Sequence, residues 1–79
     1  MFHLSIITID KKIFEGRVLQ VTVPGIEGQL SILKNHLPLI TALKEGTTEI
    51  KFEDKEKKFP IQKGILEVRP NEVVILADT

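Results

Sequence analysis

The segment "RVLQVTVPGIEGQLSI", residues 17–32, decides the fold class of this 79-residue chain. Two stretches rich in apolar and β-branched residues flank "PGIEG", where the glycines supply the positive φ angles of a turn. Apolar residues recur at every second position from Leu19 to Val23, which predicts a strand. Val18 is out of phase with them, so we expect this strand to be covered on both faces or to carry a bulge. The segment therefore predicts two strands joined by a turn.

The same period of two runs through the rest of the chain. In "FHLSIITI", for example, Phe2, Leu4 and Ile6 fall on one face. Pro38 and the β-branched residues that follow it favour an extended conformation over a helical turn in residues 37–44. Turn-forming clusters separate the apolar runs, as is typical of all-β sandwiches and barrels. They lie at residues 10–12, 24–28, 44–46, 53–58, 62–64 and 70–71. We predict an all-β fold of seven to nine short strands.

Length and composition predict one soluble domain over residues 1–79. Hydrophobic residues make up 42% of the chain, enough for one core, and there is no cysteine for a disulfide or a thiolate metal site. Eleven basic and eleven acidic residues cancel, so the basic excess of a nucleic-acid-binding domain is missing. No apolar run approaches the roughly 18 residues of a membrane-spanning helix, and the first residues do not resemble a signal peptide. We therefore expect neither nucleic-acid binding nor direct membrane insertion.

The residues for catalysis and metal binding are sparse. The chain has two histidines, two serines and no tyrosine. Ser31 and His36 could form a nucleophile and a base, but an alternating strand points Ser31 outward and no acid is placed to orient the ring. His3 and His36 form no metal-ligand pattern with nearby acids. We predict no catalytic residue, no bound metal and no cofactor, and we interpret His36 as a loop or interface residue.

Two motifs suggest other functions. The G-x-x-G pattern at residues 25–28 resembles a nucleic-acid clamp, but strands rather than helices flank it and Glu27 lies inside it. Asp54 and Lys55, in a charged segment between two strands, could instead mark a lipoyl- or biotinyl-type carrier domain with Lys55 as its modified residue. The neighbouring lysines, Lys57 and Lys58, offer no reason for one unique site, and a charged hairpin end explains the segment equally well.

Taken together, the motifs closely resemble the N-terminal domain of the epsilon subunit of F-type ATP synthases. The pattern runs in order along essentially the whole chain. It consists of F-x-G-x-V (Phe14, Gly16, Val18), G-x-E-G-x-L-x-I (Gly25, Glu27, Gly28, Leu30, Ile32), H-x-P-L (His36, Pro38, Leu39), T-x-L-x-x-G (Thr41, Leu43, Gly46), G-I-L-E-V (Gly64 to Val68) and V-x-L-A-D (Val74, Leu76, Ala77, Asp78).

The resemblance implies a flattened antiparallel β-sandwich of about ten short strands. It implies a non-catalytic rotor subunit of the central stalk, which links the gamma subunit to the membrane c-ring and couples proton flow to ATP synthesis. Such a subunit is peripheral, on the cytoplasmic face of the bacterial plasma membrane or on the stromal face of the thylakoid. The family usually continues into two inhibitory helices, which can bind ATP. This chain stops where they would begin, so we expect no ATP bound here and favour a naturally short form over a truncation.

The resemblance also implies two contact surfaces. Glu27, Gln29 and His36 would face the c-ring, and Leu37, Pro38 and Ile40 would lie against gamma. The family often has an acid at the position of Gln29, so the amide retains hydrogen bonding there without the charge. The three apolar residues could alternatively fill the core, because sandwich interiors take the same residue types.

Overall fold

A computed structural model describes residues 1–78, and their regular structure consists of strands. The strands are short because turns interrupt the alternating pattern, most of them within the predicted clusters. The break at Leu19 and the loop at residues 34–38 were not predicted, and residues 55–58, predicted as part of a turn, begin a strand. They are β1 (Phe2–Ile7), β2 (Lys12–Val18), β3 (Gln20–Gly25), β4 (Gly28–Leu33), β5 (Leu39–Leu43), β6 (Gly46–Phe52), β7 (Lys55–Ile61), β8 (Lys63–Val68) and β9 (Glu72–Asp78). The all-β prediction is confirmed, and residues 39–43 are extended as expected.

The strands form one sheet that curls until its two halves face each other. The order is β2-β1-β9-β8-β5-β3-β6-β7, and β4 pairs with β3 off this path. Strands β5 and β3 share a single residue pair, Gly25 with Leu43, so the sheet turns its corner there. At the other end β2 contacts β6. The result is the predicted sandwich, with nine strands where the resemblance implied about ten.

One pairing differs from the antiparallel expectation, because β1 and β9 run parallel, with His3 beside Glu72 and Ile7 beside Leu76. Parallel neighbours need a long connection. These two strands are the first and the last, and the seven strands between them supply it. The chain thereby places its first strand inside the sheet, between β2 and β9.

The core lies between the two halves and forms one cluster. Alternate residues of each strand point into it, as the period of two predicts. Leu4, Ile6 and Ile75 come from one half, and Val21 and Ile50 from the other. All five are at most 1% exposed.

Three half-buried phenylalanines, from β2, β6 and β7, pack against this core where β2 approaches β6. The ring of Phe14 stacks on that of Phe52 with 6.1 Å between centroids, and the ring of Phe59 lies 6.0 Å away at a tilt. The amine of Lys57 lies 5.8 Å from the centre of the Phe14 ring, within cation–π range. These aromatic contacts close the side of the sandwich opposite the corner.

Val18 is out of phase with Leu19, Val21 and Val23 for a simpler reason than the sequence indicated. It ends β2, Leu19 forms the bend, and Gln20 begins β3. Val18 and Val21 are both fully buried, while Leu19 is exposed. The prediction of a doubly covered strand or a bulge at this point is therefore wrong. A break between two strands resets the alternation.

Candidate functional site

The "PGIEG" segment forms the tip of the β3–β4 hairpin. Gly25 pairs with Gly28, so Ile26 and Glu27 are the two loop residues. Gly28 has φ of 137°, which side chains disfavour, and a Cβ on Gly25 would lie 2.5 Å from the Gly28 carbonyl oxygen. The amide of Ile26 already donates to the carbonyl of Ala42 at 3.0 Å. Only Gly28 has the positive φ predicted for both glycines, whereas Gly25 is needed for the close approach of the two strands at a turn that is fixed to β5.

Strand β4 is paired with β3 alone among the described strands, which leaves its other edge open. Its sequence, "GQLSIL", contains neither the charges nor the proline that usually protect an edge. Glu27 and Gln29 lie at one end of this edge, and His36 follows the other end. Six residues of strand span about 17 Å. All three predicted c-ring residues are exposed, and they are spread along the β4 edge rather than gathered in a pocket.

The loop between β4 and β5 presents the predicted gamma residues. Asn35 adopts a left-handed conformation, with φ of 68°, and turns the chain. After it, Leu37 is 78% exposed, Pro38 is exposed, and Ile40 is 70% exposed at the start of β5. The alternative that these residues fill the domain's own core is therefore wrong.

Ile40 adjoins an apolar surface that the motifs did not reveal. Cross-strand register sets Ala42, Ile65, Leu76 and Ile7 side by side on β5, β8, β9 and β1. We call these four residues the apolar row. Ile65 and Leu76 are each about half exposed. Together with Ile9, whose side chain is 94% exposed, the row lines an open cavity of about 530 Å³.

A sequence signal for the apolar row did exist. Residues 73–77, "VVILA", are apolar without alternation. Such a run is typical of a strand that is covered on both faces. Here the domain's own core covers only one of them, burying Val73, Ile75 and Ala77 and leaving Leu76 outside.

The residues weighed for catalysis are not brought together. The hydroxyl oxygens of Ser31 and Thr22 lie 3.1 Å apart, and Nδ1 of His36 lies 3.0 Å from the carbonyl oxygen of Leu37. Ser31 and His36 thus contact different groups and do not contact each other. Among residues 1–78, no group of three or more histidine and acidic side chains could hold a metal ion.

Lys55 does not stand at a hairpin tip. The β6–β7 turn consists of Glu53 and Asp54, and Lys55 is already paired with Phe52 as the first residue of β7. The carrier interpretation needs the lysine at the tip itself, so the geometry gives it no support.

Three charged groups have shifted pKa values, and one of them, Glu67, is paired across strands with Ile40 of the predicted gamma contact. Hydrogen bonds from Arg69 lower the pKa of the Glu67 carboxyl, and the same contact raises the pKa of Arg69. A hydrogen bond from Lys12, reinforced by its charge, lowers the pKa of Glu15. All these groups are on the solvent side of the sheet, so the shifts describe surface ion pairs rather than a reactive centre.

The part of the chain that the structure describes holds no helix long and apolar enough to cross a membrane.

Solved structures of similar fold come from ATP synthases. One is a chain of the Euglena gracilis mitochondrial ATP synthase, in a structure of its OSCP, F1 and c-ring, with TM-score 0.92 and 23% identity. Another is from the central stalk and c-ring of the Tetrahymena thermophila mitochondrial enzyme, with TM-score 0.83 and 20% identity. Each match covers 99% of this chain, but 51% and 63% of the longer chains. At these identities the likeness concerns the fold.

The match to a protein family is more specific. The family model described as "ATP synthase, Delta/Epsilon chain, beta-sandwich domain" matches residues 1–79. This range includes the hairpin tip, the open β4 edge, the β4–β5 loop and the apolar row. The chain therefore belongs to the ATP synthase delta/epsilon family, through the beta-sandwich domain of that family.

Proposed function

We propose that this chain is the single β-sandwich domain of a central-stalk rotor subunit of an F-type ATP synthase. It links the gamma subunit to the c-ring and so couples proton flow to ATP synthesis, without a catalytic site of its own. The observation that carries the proposal is the family match over residues 1–79. The two similar folds in ATP synthase structures support it, one of them from a central stalk and c-ring.

The c-ring contact runs along the open edge of β4, from Glu27 and Gln29 to His36. Its length of about 17 Å suits a broad polar contact with several loops. The free backbone groups of this edge provide further hydrogen-bond donors and acceptors. An uncharged strand edge left open is an aggregation hazard in isolation, and a partner that covers it removes the hazard.

The gamma contact involves Leu37, Pro38 and Ile40 and continues over the apolar row. Exposed apolar surface of this extent is typical of protein interfaces. Ile40 and Ala42 are both exposed residues of β5, two positions apart, and therefore share a face. The loop and the row thus form one continuous docking face.

The stiffness of the domain suits torque transmission. Its two halves are joined at the corner and close against each other through the phenylalanines, around a fully buried aliphatic core. Densely packed interiors of this kind deform little under load. In the assembled enzyme the domain is peripheral, on the cytoplasmic face of a bacterial plasma membrane or the stromal face of a thylakoid. It holds no ATP.

Co-purification with tagged gamma subunit tests the proposal. We expect the wild-type chain to be retained on gamma and the Ile40→Asp variant to be lost, since a buried carboxylate without a partner is costly in an interface. Leu19→Asp is the matched control, because Leu19 is also an exposed aliphatic residue but lies outside the proposed face. If gamma retains both variants, the placement of the interface is wrong. Failure of the wild-type chain to bind gamma would contradict the function.

A further inference from the structure

Six charged or titratable side chains form a connected network across four neighbouring strands, and it reaches the proposed docking face where Glu67 is paired with Ile40. We call it the His3 network. Its members follow one another in space as Lys12, Glu15, His3, Glu72, Arg69 and Glu67. They come from β2, β1, β9, the β8–β9 turn and β8.

His3 occupies the middle of the network and has a carboxylate on each side. Its Nε2 lies 3.0 Å from an oxygen of Glu15 on β2, and its Nδ1 lies 3.8 Å from an oxygen of Glu72 on β9. A neutral imidazole carries one N–H, so one carboxylate must then face a ring nitrogen that has only a lone pair. The protonated ring carries an N–H on both sides. Only the protonated form therefore attracts both carboxylates.

Each of these carboxylates already has a permanent cation on its other oxygen. Lys12 contacts Oε1 of Glu15, and Arg69 contacts Oε1 of Glu72 at 3.0 Å. Arg69 also binds Glu67 at 3.0 Å. Each of the two carboxylates beside the ring thus binds a cation through one oxygen and turns its other oxygen toward His3.

The geometry points to a proton-operated tie: protonation of His3 completes the network and fastens β2 and β9 to β1. Protonation strengthens the attachment of the first strand, and loss of the proton weakens it. The Lys12 contact lowers the pKa of Glu15, which favours the ionised carboxylate that this contact needs.

One further charge faces His3 from the neighbouring strand and acts against protonation. Arg17 is directly opposite His3 in the β1–β2 register. Its guanidinium donates to the carbonyl oxygen of Met1 at 3.2 Å, which holds it in place. The named cations and carboxylates are therefore equal in number, and the two carboxylates are the groups that lie against the ring nitrogens.

Thermal unfolding across pH tests the tie. We expect His3→Gln to melt about 2–5 °C below the wild type near pH 5.5, and within about 1 °C of it near pH 8, as for partly exposed ion pairs in a small domain. Glu72→Gln should remove part of the same difference. His36→Gln is the matched control, because the chain has two histidines and the other lies in an exposed loop. Its offset from the wild type should not change with pH. If His3→Gln keeps the full pH dependence of the wild type, the tie does not exist.

Carboxyl carbon NMR of the wild-type chain gives a second measurement that needs no variant. The carboxyl resonances of Glu15 and Glu72 should move together with the ring resonances of His3 as it titrates. The resonance of Glu27, at the hairpin tip, should not follow them. If the carboxyl resonances of Glu15 and Glu72 do not shift when the ring of His3 titrates, the inference is wrong.

Discussion

Thr48, in the middle of β6, tests whether a buried polar group lowers the stability of the core. Its side chain is fully buried, and its hydroxyl has no hydrogen-bond partner among the residues that the structure describes. The aliphatic cluster of the sandwich surrounds this strand position, with Ile50 two residues away on the same face. We expect Thr48→Val to stabilise the domain, although most substitutions in a core destabilise.

The size of the gain follows from the two terms that change. A buried hydroxyl without a partner costs roughly 1–3 kcal/mol, which the substitution removes. The added methyl group contributes up to about 0.8 kcal/mol of burial. Valine keeps the branched shape and the strand preference of threonine, so packing strain is small. Together the two terms give a gain of about 1–4 kcal/mol, and each 1 kcal/mol would raise the melting temperature by about 4–8 °C in a domain of this size.

Urea and thermal unfolding of Thr48→Val measure this gain. Thr47→Val is the matched control, since Thr47 is the exposed neighbour on the same strand and its substitution should change stability by no more than about 0.5 kcal/mol. A Thr48→Val protein that is less stable than the wild type would refute the reasoning. It would mean that the hydroxyl is hydrogen-bonded within the folded domain.

Three further outcomes are expected. Gly28→Ala should cost about 1 kcal/mol or more in urea unfolding, because φ of 137° strains any side chain; an unchanged midpoint would show that the hairpin relaxes. His36→Ala should shift the free energy of unfolding by no more than about 0.5 kcal/mol and yet weaken retention on the c-ring, and a large loss of stability with normal retention would make His36 structural. Arg69 lowers the pKa of Glu67, so the stability that this contact adds is present above the usual glutamate pKa and lost as pH falls through the lowered value. On acidification the wild type should therefore lose more stability than Glu67→Gln, and parallel acid curves would contradict this.

Much of the fold could be predicted from local sequence. Phe2, Leu4 and Ile6 share a buried face because a strand alternates its side chains, whatever it pairs with. Gly28 at the hairpin tip marks a turn because few other residues tolerate its φ of 137°. The exposure of Leu37, Pro38 and Ile40 was expected from the family resemblance rather than from their chemistry, since apolar residues occur equally in cores. The partner contacts assigned to them stay a prediction.

The sequence by itself thus determined most of the strands, their buried faces and most of the turns, because these depend on neighbours two or three residues apart; the break at Leu19 was missed. Only the tertiary structure decided which strands lie side by side. The parallel pairing of β1 with β9 joins the two ends of the chain. That pairing places Ile7 beside Leu76 in the apolar row, and His3 between two carboxylates. The run at residues 73–77 indicated only that β9 would be covered on both faces. The residues that complete the apolar row and the His3 network have no local signature, because cross-strand register brings together residues that are far apart in sequence, and packing of the whole sandwich sets that register.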